Sequence, residues 1–485
     1  MLLVLLAAPF AAAIASFGTQ SDFLRRRLVV AVSFLHLAVS ALLWAGGTEP
    51  GPGDWIGADA LSLLFLLITS LLFAASSISL ARYLEDHELQ ENKRGRFSRE
   101  AVFTGTFSLF LGTATLAILS RHTGVFWLAI EGTTLASATL ISYQRSSRSL
   151  EAAWKYMLIC SVGIALALAG NTALAVSALF SPEAEPISMT FRELGEKAHL
   201  LNPLWLKTAY AFILVGYGTK MGLAPMHTWL PDAHSEAPSP ISALLSGALL
   251  NCAFLGILRT NGILLKAGMG WYSNGLLVAF GVFSMVLAGL LLLQQGDYKR
   301  LLAYSSIEHM GILAIAAGSG ASFGCFLHSV NHSLSKGALF LIAGELLHAF
   351  HTKSTRNVTG ILHAAPMAGI LWIAGFLSIC GIPPFGTFVS EFLIMASLAG
   401  GGRWWLLGIF LLSLGVVFAA VWRIVIPMAY GEPPELREGI RDSTWLVPEA
   451  AAPALLLLAV VLLGLWIPGP LARLLERAAA VAGGA

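Results

Sequence analysis

The chain has 485 residues, of which 56% are hydrophobic and 12% are charged, and its formal net charge is +2. Soluble domains carry about 25% charged residues, so this composition, with its long apolar runs, indicates an all-α integral membrane protein rather than a soluble enzyme or a membrane β-barrel. The near-neutral charge does not suggest a nucleic-acid partner. Its four cysteines form no CxxC pair, which disfavours a zinc or iron–sulfur site within the chain.

The apolar runs predict about fourteen transmembrane helices, because a helix of about 20 residues crosses about 30 Å of hydrocarbon. The first run lacks the basic start of a signal peptide, so we expect it to be a spanning helix. In chain order the predicted helices lie near residues 1–17, 28–46, 57–84, 100–119, 121–143, 153–180, 206–233, 239–262, 272–294, 299–319, 321–350, 361–400, 404–430 and 447–469.

Two of the predicted helices contain internal prolines. Pro225 interrupts predicted helix 7, and Pro383-Pro384 interrupts the unusually long predicted helix 12. Proline removes a backbone donor, so each helix must break there, and the freed carbonyls need polar partners. The breaks are five helices apart, which predicts two repeats of five helices with inverted topology. The predicted units are helices 1–3 at 1–99, helices 4–8 at 100–262, helices 9–13 at 263–430, and helix 14 with a tail at 431–485.

Basic residues are concentrated in the loops that follow odd-numbered helices, most of all at residues 25–27 and in the segment 81–99. The positive-inside rule puts these loops in the cytoplasm and both termini outside, in a bacterial-type inner membrane. We predict that the segment 81–99 is a solvated connector, with docking of a partner chain as the alternative.

Two opposite charges lie inside the first predicted repeat. Glu131 is in the middle of predicted helix 5, and Lys220 is in an apolar stretch of predicted helix 7. A charge inside a bilayer is costly, so such residues usually have a function and face a partner or water. We predict that Glu131 and Lys220 form a pair that switches during proton movement, with a static structural ion pair as the alternative.

A polar stripe marks predicted helix 11. His328, His332 and Lys336 recur every four residues and therefore share one face. Histidine relays protons readily near neutral pH, so the stripe predicts a proton wire, with structural polar packing as the alternative. A metal site at His328 and His332 is disfavoured, because neither a glutamate at HExxH spacing nor a thiolate accompanies them.

Three more buried candidates belong to the second predicted repeat. Glu308 and His309 are adjacent in predicted helix 10, so we expect their side chains to point in different directions. Glu391 lies about two turns beyond the break of predicted helix 12. It is a candidate for the terminal carboxylate of a proton path, with an exposed position at the membrane edge as the alternative.

A group of polar residues is predicted at the cytoplasmic surface, where protons could enter. The candidates are Lys155 in predicted helix 6, and Asp232, His234 and Glu236 near the end of predicted helix 7. The three residues of helix 7 could equally cap the following loop, and Lys155 could equally be a positive-inside anchor. Asp297, Lys299 and Arg300 are expected to cap predicted helix 10.

Four segments together resemble the antiporter-like membrane subunits of respiratory complex I, of Mrp-type cation/proton antiporters and of group 4 membrane-bound hydrogenases. They are KMGLAPMHTWLPDAHSEAPSPISALL, GDYKRLLAYSSIEHMGIL, VNHSLSKGALFLIAGEL and GIPPFGTFVSEF. The likeness covers predicted helices 4 to 13, and within the family the chain looks most like the shorter hydrogenase-4 membrane subunits of the F class.

The resemblance implies roles for individual residues. Glu131 and Lys220 would be the charge pair of the family, Lys336 and the histidines would join its central hydrated axis, and Glu391 would take its helix 12 position. Many members carry a lysine in helix 8 where this chain has Asn251, so water or histidines would link the two half-channels here.

We therefore expect a proton-translocating subunit of a redox-driven complex, with no catalytic site or cofactor of its own. Electron transfer would take place in membrane and peripheral partner subunits that carry iron–sulfur clusters and a nickel–iron or flavin centre. The alternative is a cation/proton antiporter subunit of an Mrp-like complex. Sodium sites use clustered oxygen ligands, whereas this axis is rich in lysine and histidine, which favours protons.

Overall fold

The computed structural model describes residues 1–46, 55–88, 99–181, 187–432 and 447–483, without the side chains of 86–88 and 447–449. Within these ranges the regular structure is helical, and three isolated bridges join loops. In chain order the helices are α1 (Leu2–Gly18), α2 (Asp22–Gly46), α3 (Ala60–Glu88), α4 (Arg99–Leu119), α5 (Thr123–Ile141), α6 (Ser147–Leu179), α7 (Phe191–Glu196), α8 (Pro203–Met221), α9 (Trp229–Glu236), α10 (Ser239–Leu244), α11 (Leu250–Lys266), α12 (Gly270–Leu292), α13 (Tyr298–Gly318), α14 (Ser322–Phe350), α15 (Ile361–Ala364), α16 (Pro366–Ile379), α17 (Gly386–Gly400), α18 (Trp404–Tyr430), α19 (Val447–Leu465) and α20 (Gly469–Val481).

The described helices confirm a multi-pass membrane protein. Eight of them, and the continuous segment Ser239–Lys266 that joins α10 and α11, are long and apolar enough to cross a bilayer, and the pair α19 and α20, bent by 81°, would make a tenth span. Three shorter apolar helices, α1, α16 and α17, add to the hydrophobic part of the chain. The total of fourteen spans stays a prediction.

Glycines allow the closest helix contacts. A methyl group on Gly216 of α8 would meet backbone atoms of Gly163 and Ala167 on α6 at 2.6 Å. A methyl group on Gly311 of α13 would lie 2.7 Å from the carbonyl oxygen of Gly281 on α12. Membrane helices gain little from the hydrophobic effect and associate by such close packing. These contacts hold α8 against α6, and α13 against α12.

Buried polar contacts connect the N-terminal helices. Arg26 of α2 donates from Nε to Glu100 of α4 at 2.6 Å, and both side chains are almost fully buried. His36 of α2 is within 2.9 Å of Ser70 on α3 through one ring nitrogen and of Thr115 on α4 through the other. Buried polar groups need such partners, so these contacts fix how α2, α3 and α4 pack.

Both predicted breaks are present, and they share one hydrogen-bond pattern. The first half-helix ends at a glycine with positive φ, Gly222 (85°) in one case and Gly381 (61°) in the other. The next residue then donates to a carbonyl five residues back, Leu223 to Gly218 at 2.9 Å and Ile382 to Leu377 at 3.1 Å. This is the cap that glycine at a helix end normally forms. The matching caps are what two related repeats predict, although the repeat boundaries themselves stay a prediction.

Side chains satisfy the backbone at the first break. The indole of Trp229 donates to the Thr219 carbonyl at 2.8 Å, and Ser284 of α12 accepts from the Ala224 amide at 2.9 Å. The expected polar partners of the freed groups are therefore protein side chains at these two positions.

Some elements differ from the prediction. Predicted helix 12 is divided into α15, α16 and α17, and a π-helical turn, Leu245–Leu249, interrupts predicted helix 8. The predicted polar connector 81–99 begins as helix, because α3 continues to Glu88, and residues 89–98 lie outside the described residues. The prediction did not include α7 or the amphipathic α20, which buries Leu474 and Leu475.

Candidate functional site

Lys220 lies fully buried in the last turn of α8, immediately before the break. Its ammonium group donates to the hydroxyl of Tyr156 on α6 at 2.5 Å and to the hydroxyl of Thr134 on α5 at 2.8 Å. The same nitrogen lies 4.6 Å from the centroid of the Tyr156 ring, within cation–π distance. Neutral oxygens and an aromatic face therefore hold this cation.

Glu131 is half-buried on α5 and does not form the predicted direct ion pair with Lys220. It accepts a hydrogen bond from Ser161 of α6 at 3.1 Å, and its other oxygen is buried without a partner among the described residues. Glu131 and Thr134 lie on nearly the same face of α5, and the lysine nitrogen contacts Thr134, which is about one turn further along the helix.

Sequence reasoning did not identify Tyr156. The residue lies in an apolar part of α6, is fully buried, and also contacts the Ser137 hydroxyl at 2.6 Å. A buried tyrosine hydroxyl normally has a hydrogen-bond partner, and that rule is the one signal in the sequence that could have identified it.

Asn251 of α11 contacts the helix that carries the histidine stripe. The residue follows the π-helical turn, and its amide donates to the Gly247 carbonyl and to the Ser333 hydroxyl of α14, each at 2.8 Å. Turns of this kind are frequent at functional sites, because they release a backbone carbonyl from the helix. The contact with Ser333 places Asn251 next to the histidine stripe.

The structure brings three histidines of α13 and α14 together. His309 Nδ1 lies 2.9 Å from His328 Nε2, and the rings of His309 and His332 are 4.9 Å apart. On its other side, His328 Nδ1 lies 3.0 Å from the Ser390 hydroxyl of α17. All three rings are fully buried, so the predicted stripe lines the interior and reaches the second half-helix of the break.

Two carboxylates and one lysine complete this cluster. Glu308 is buried with an oxygen 3.7 Å from His309 Nε2, so these neighbours are closer to each other than the prediction of divergent directions suggested. Lys336 donates to the Leu302 carbonyl at 2.9 Å and to the Ser305 hydroxyl. Glu391 is 3% exposed, which excludes the alternative of an exposed position at the membrane edge.

The candidate residues from Glu131 on α5 to Glu391 on α17 form a row of polar side chains, and several of its buried atoms have no hydrogen-bond partner among the described residues. Buried groups of this kind are normally satisfied, so the row has the polarity that ordered water requires. The atoms are Glu131 Oε2, both ring nitrogens of His234, Asn251 Oδ1, Glu308 Oε2, His309 Nε2, both amide atoms of Asn331, both ring nitrogens of His332, and Glu391 Oε1.

The predicted entry residues separate into two groups. Asp232 is paired with Arg300 at 2.5 Å and with Lys155 at 3.3 Å, and Glu236 is paired with Lys353 at 2.8 Å. These residues form ion pairs at the ends of their helices.

The sequence suggested that His234 lies near the cytoplasmic surface, and this prediction is wrong. It is fully buried and stacked on the ring of Phe340 at 5.1 Å, because the short helix α9 turns this face toward α14.

A cavity of about 520 Å³ lies beside these residues. Its lining includes Arg82, Arg148, Glu236, Lys299 and Lys353. Asp297 caps α13 as expected, with its carboxylate accepting from two backbone amides, but Lys299 is buried and donates to the Ala237 carbonyl at 2.6 Å. The cavity therefore connects a charged surface with a buried lysine.

Comparison with known proteins gives the family. Residues 120–417 match the family model that describes the transmembrane part of NADH:quinone oxidoreductase and Mrp antiporter proteins. The chain belongs to this family. The match to the NADH:quinone oxidoreductase/Mrp antiporter family includes the whole row from Glu131 to Glu391, as the sequence motifs predicted.

One relative and two solved structures illustrate the relationship. The chain is 38% identical over 376 residues to a hydrogenase-4 component F homolog of Methylacidiphilum infernorum (isolate V4), covering 75% of this chain and 78% of the relative. It superposes on a chain of the membrane-bound sulfane sulfur reductase, an archaeal respiratory membrane complex, with a TM-score of 0.82 and 20% identity, covering 99% and 97% of the two chains. With a chain of respiratory complex I from Thermus thermophilus the TM-score is 0.77 at 25% identity, covering 97% and 100%.

Proposed function

We propose that the chain is a proton-translocating membrane subunit of a redox-driven complex of the membrane-bound hydrogenase or NADH/quinone oxidoreductase type. The observation that carries this proposal is the row of buried titratable and polar side chains that passes both broken helices, from Glu131 on α5 to Glu391 on α17. Ionisable groups inside a bilayer are costly, and rows of them are typical of proton relays.

Lys220 is the switch of the first half. Neutral hydroxyls hold it, so it can shift or release a proton without first breaking an ion pair. Glu131 lies about one turn before Thr134 on α5, and one of its oxygens has no hydrogen-bond partner among the described residues. A change of charge in a partner subunit beside the half-buried Glu131 would alter the attraction between Glu131 and Lys220. Movement of the lysine toward Glu131 would then transmit the event in the partner subunit to the row.

The second half has its own entry and relay. The charged cavity leads to Lys299, and His234 follows with both ring nitrogens available. Lys336 comes next along α14, and the His332, His309 and His328 rings continue toward Glu391. Histidine binds and releases protons through two distinct nitrogens, so a chain of neighbouring rings can relay a proton.

The remaining assignments complete the proposal. We propose two inverted repeats, 100–262 and 263–430, flanked by the units 1–99 and 431–485, and both termini outside a bacterial inner membrane. Membrane and peripheral partner subunits would hold the iron–sulfur clusters and the nickel–iron or flavin centre. The matching caps of the two breaks and the basic loops after odd-numbered helices support this arrangement.

Replacement of Lys220 tests the function. In the assembled complex in vesicles, driven by its own electron donor, Lys220→Met should abolish the proton transport of this subunit, as a pH-sensitive dye would report. The control is Lys207→Met, at the start of the same helix, where the lysine lies 5.0 Å from the ring centroid of Trp271. Unchanged transport in Lys220→Met would refute the proposal, and transport that requires Na⁺ would favour the antiporter alternative.

A further inference from the structure

Three metal-ligating side chains meet at the centre of the second half of the row. His309, His328 and Glu391 each offer one ligand atom, and these atoms lie within 4.8 Å of one another. The three residues come from α13, α14 and α17, and none is more than 3% exposed. The sequence disfavoured a metal at His328 because no carboxylate lies at the usual spacing, but the fold brings Glu391 from a distant helix.

The histidines turn one ring nitrogen each toward the other, and His328 has the outer contact that is typical of a metal ligand. His328 points Nε2 into the cluster while its Nδ1 contacts the Ser390 hydroxyl at 3.0 Å. His309 points Nδ1 into the cluster while its Nε2 lies 3.7 Å from the Glu308 carboxylate. Ligating histidines almost always use the second nitrogen to contact a carboxylate, carbonyl or other polar group, which fixes the ring. His328 therefore has an outer hydrogen-bond partner as well as an inner ligand atom, whereas the Glu308 carboxylate lies near His309 Nε2 beyond hydrogen-bond distance.

The dimensions fit a tetrahedral ion after a small adjustment. The two inner nitrogens are 2.9 Å apart. Metal–nitrogen bonds of about 2.0–2.1 Å at tetrahedral angles separate two nitrogens by about 3.3 Å, so the rings would move apart by about 0.4 Å. Glu391 has an oxygen without a partner among the described residues, which could complete the set of three ligands. Its charge and that of Glu308 would offset a divalent cation.

We propose that His309 Nδ1, His328 Nε2 and the Glu391 carboxylate bind a transition-metal cation of the zinc class, and that the bound ion blocks the proton path. Two imidazoles and one carboxylate favour zinc, cobalt, nickel or copper over sodium, magnesium or calcium, which prefer oxygen ligands. The ion would act as an inhibitor, because it occupies the nitrogens through which the two rings exchange a proton. The block rests on the proposed function, whereas binding does not.

Glu391 lies next to the second break. A methyl group on Gly381 would overlap the Glu391 carboxylate, so this carboxylate lies directly beneath the break. Pro383 and Pro384 of the same break are exposed on the surface of the chain.

Metal binding is measured on the purified complex. After treatment with a chelator, the complex is equilibrated with ZnCl₂, desalted and analysed for zinc, and Co²⁺ serves as a spectroscopic probe. Wild type should bind one ion more per complex than His328→Gln or Glu391→Gln, and Ser390→Ala should weaken binding about tenfold by removing an outer partner. The control is His351→Gln, a histidine near the helix end outside the cluster.

The outcomes separate the two proposals. Equal zinc content in wild type and both ligand variants, in correctly assembled complexes, overturns the site. Binding that depends on the ligands, together with proton transport that falls about tenfold at ten times the dissociation constant, supports both proposals. Binding that depends on the ligands without any loss of transport would support the site and contradict the path through it.

Discussion

Tyr156→Phe is the most specific perturbation of the first half of the row. The tyrosine hydroxyl accepts from Lys220 at 2.5 Å and contacts Ser137 at 2.6 Å, and phenylalanine removes both contacts while keeping the ring. Lys220 would then keep only Thr134 as a hydrogen-bond acceptor among its present partners. The lysine would no longer be held in its resting position.

The size of the effect follows from the kind of contact that is lost. A hydrogen bond to a charged group contributes about 1.5–3 kcal/mol, more than one between neutral groups. If the lost contact positions Lys220 for proton transfer, the rate of transport should fall by about 10- to 150-fold, since each 1.36 kcal/mol changes a rate about tenfold. The remaining ring preserves the packing against Trp229, whose centroid lies 4.9 Å away.

The assay is proton transport by the assembled complex in vesicles, measured together with electron transfer. Tyr210→Phe is a matched control, because Tyr210 is also fully buried, lies on α8, and has a hydroxyl without a hydrogen-bond partner in the described structure. Tyr210→Phe should transport protons at the normal rate. Normal transport in Tyr156→Phe, or an equal loss in both variants, would refute the reasoning.

Two other predictions concern the second break and the N-terminal helices. Gly381→Ala places a methyl group on the Glu391 carboxylate at a residue with φ of 61°, so it should cost about 1–2 kcal/mol for the backbone and reduce transport, whereas Gly400→Ala, in open space, should change neither thermal stability nor transport. Arg26→Met removes both hydrogen bonds that Arg26 donates to the buried Glu100 and should lower stability by about 3–5 kcal/mol in thermal unfolding, and the double variant with Glu100→Met should regain much of the loss. Equal effects of Gly381→Ala and Gly400→Ala would contradict the prediction for the break. Equal thermal stability of the single Arg26 variant and the double variant would contradict the prediction for the N-terminal helices.

The sequence predicted those features that depend on one helix at a time. Pro225 and Pro383-Pro384 remove backbone donors wherever they lie, so both breaks were predictable. His328, His332 and Lys336 share a face by helical periodicity alone, so their common orientation was predictable as well. The family motifs predicted that the residues from Glu131 to Glu391 belong to one row, and the match to residues 120–417 confirms the family.

Contacts between helices were harder to predict. The 2.9 Å approach of His309 to His328 depends on how α13 packs against α14, and the contact of Lys220 with Thr134 depends on how α8 packs beside α5. His234 looked like a surface residue because it follows a helix break, yet the short helix α9 turns it toward Phe340. Periodicity within a helix contains no information on these relative rotations.

The central claim is that the buried row is a single path, and the proton-to-electron ratio of three variants tests it most directly. Lys220→Met, Lys336→Met and the double variant are compared in the same vesicles. If both lysines belong to one path, each single variant should lose the whole contribution of this subunit, and the double variant should lose no more, because residues that act as a unit are not additive. Partial losses in the single variants that add up in the double variant would contradict the account.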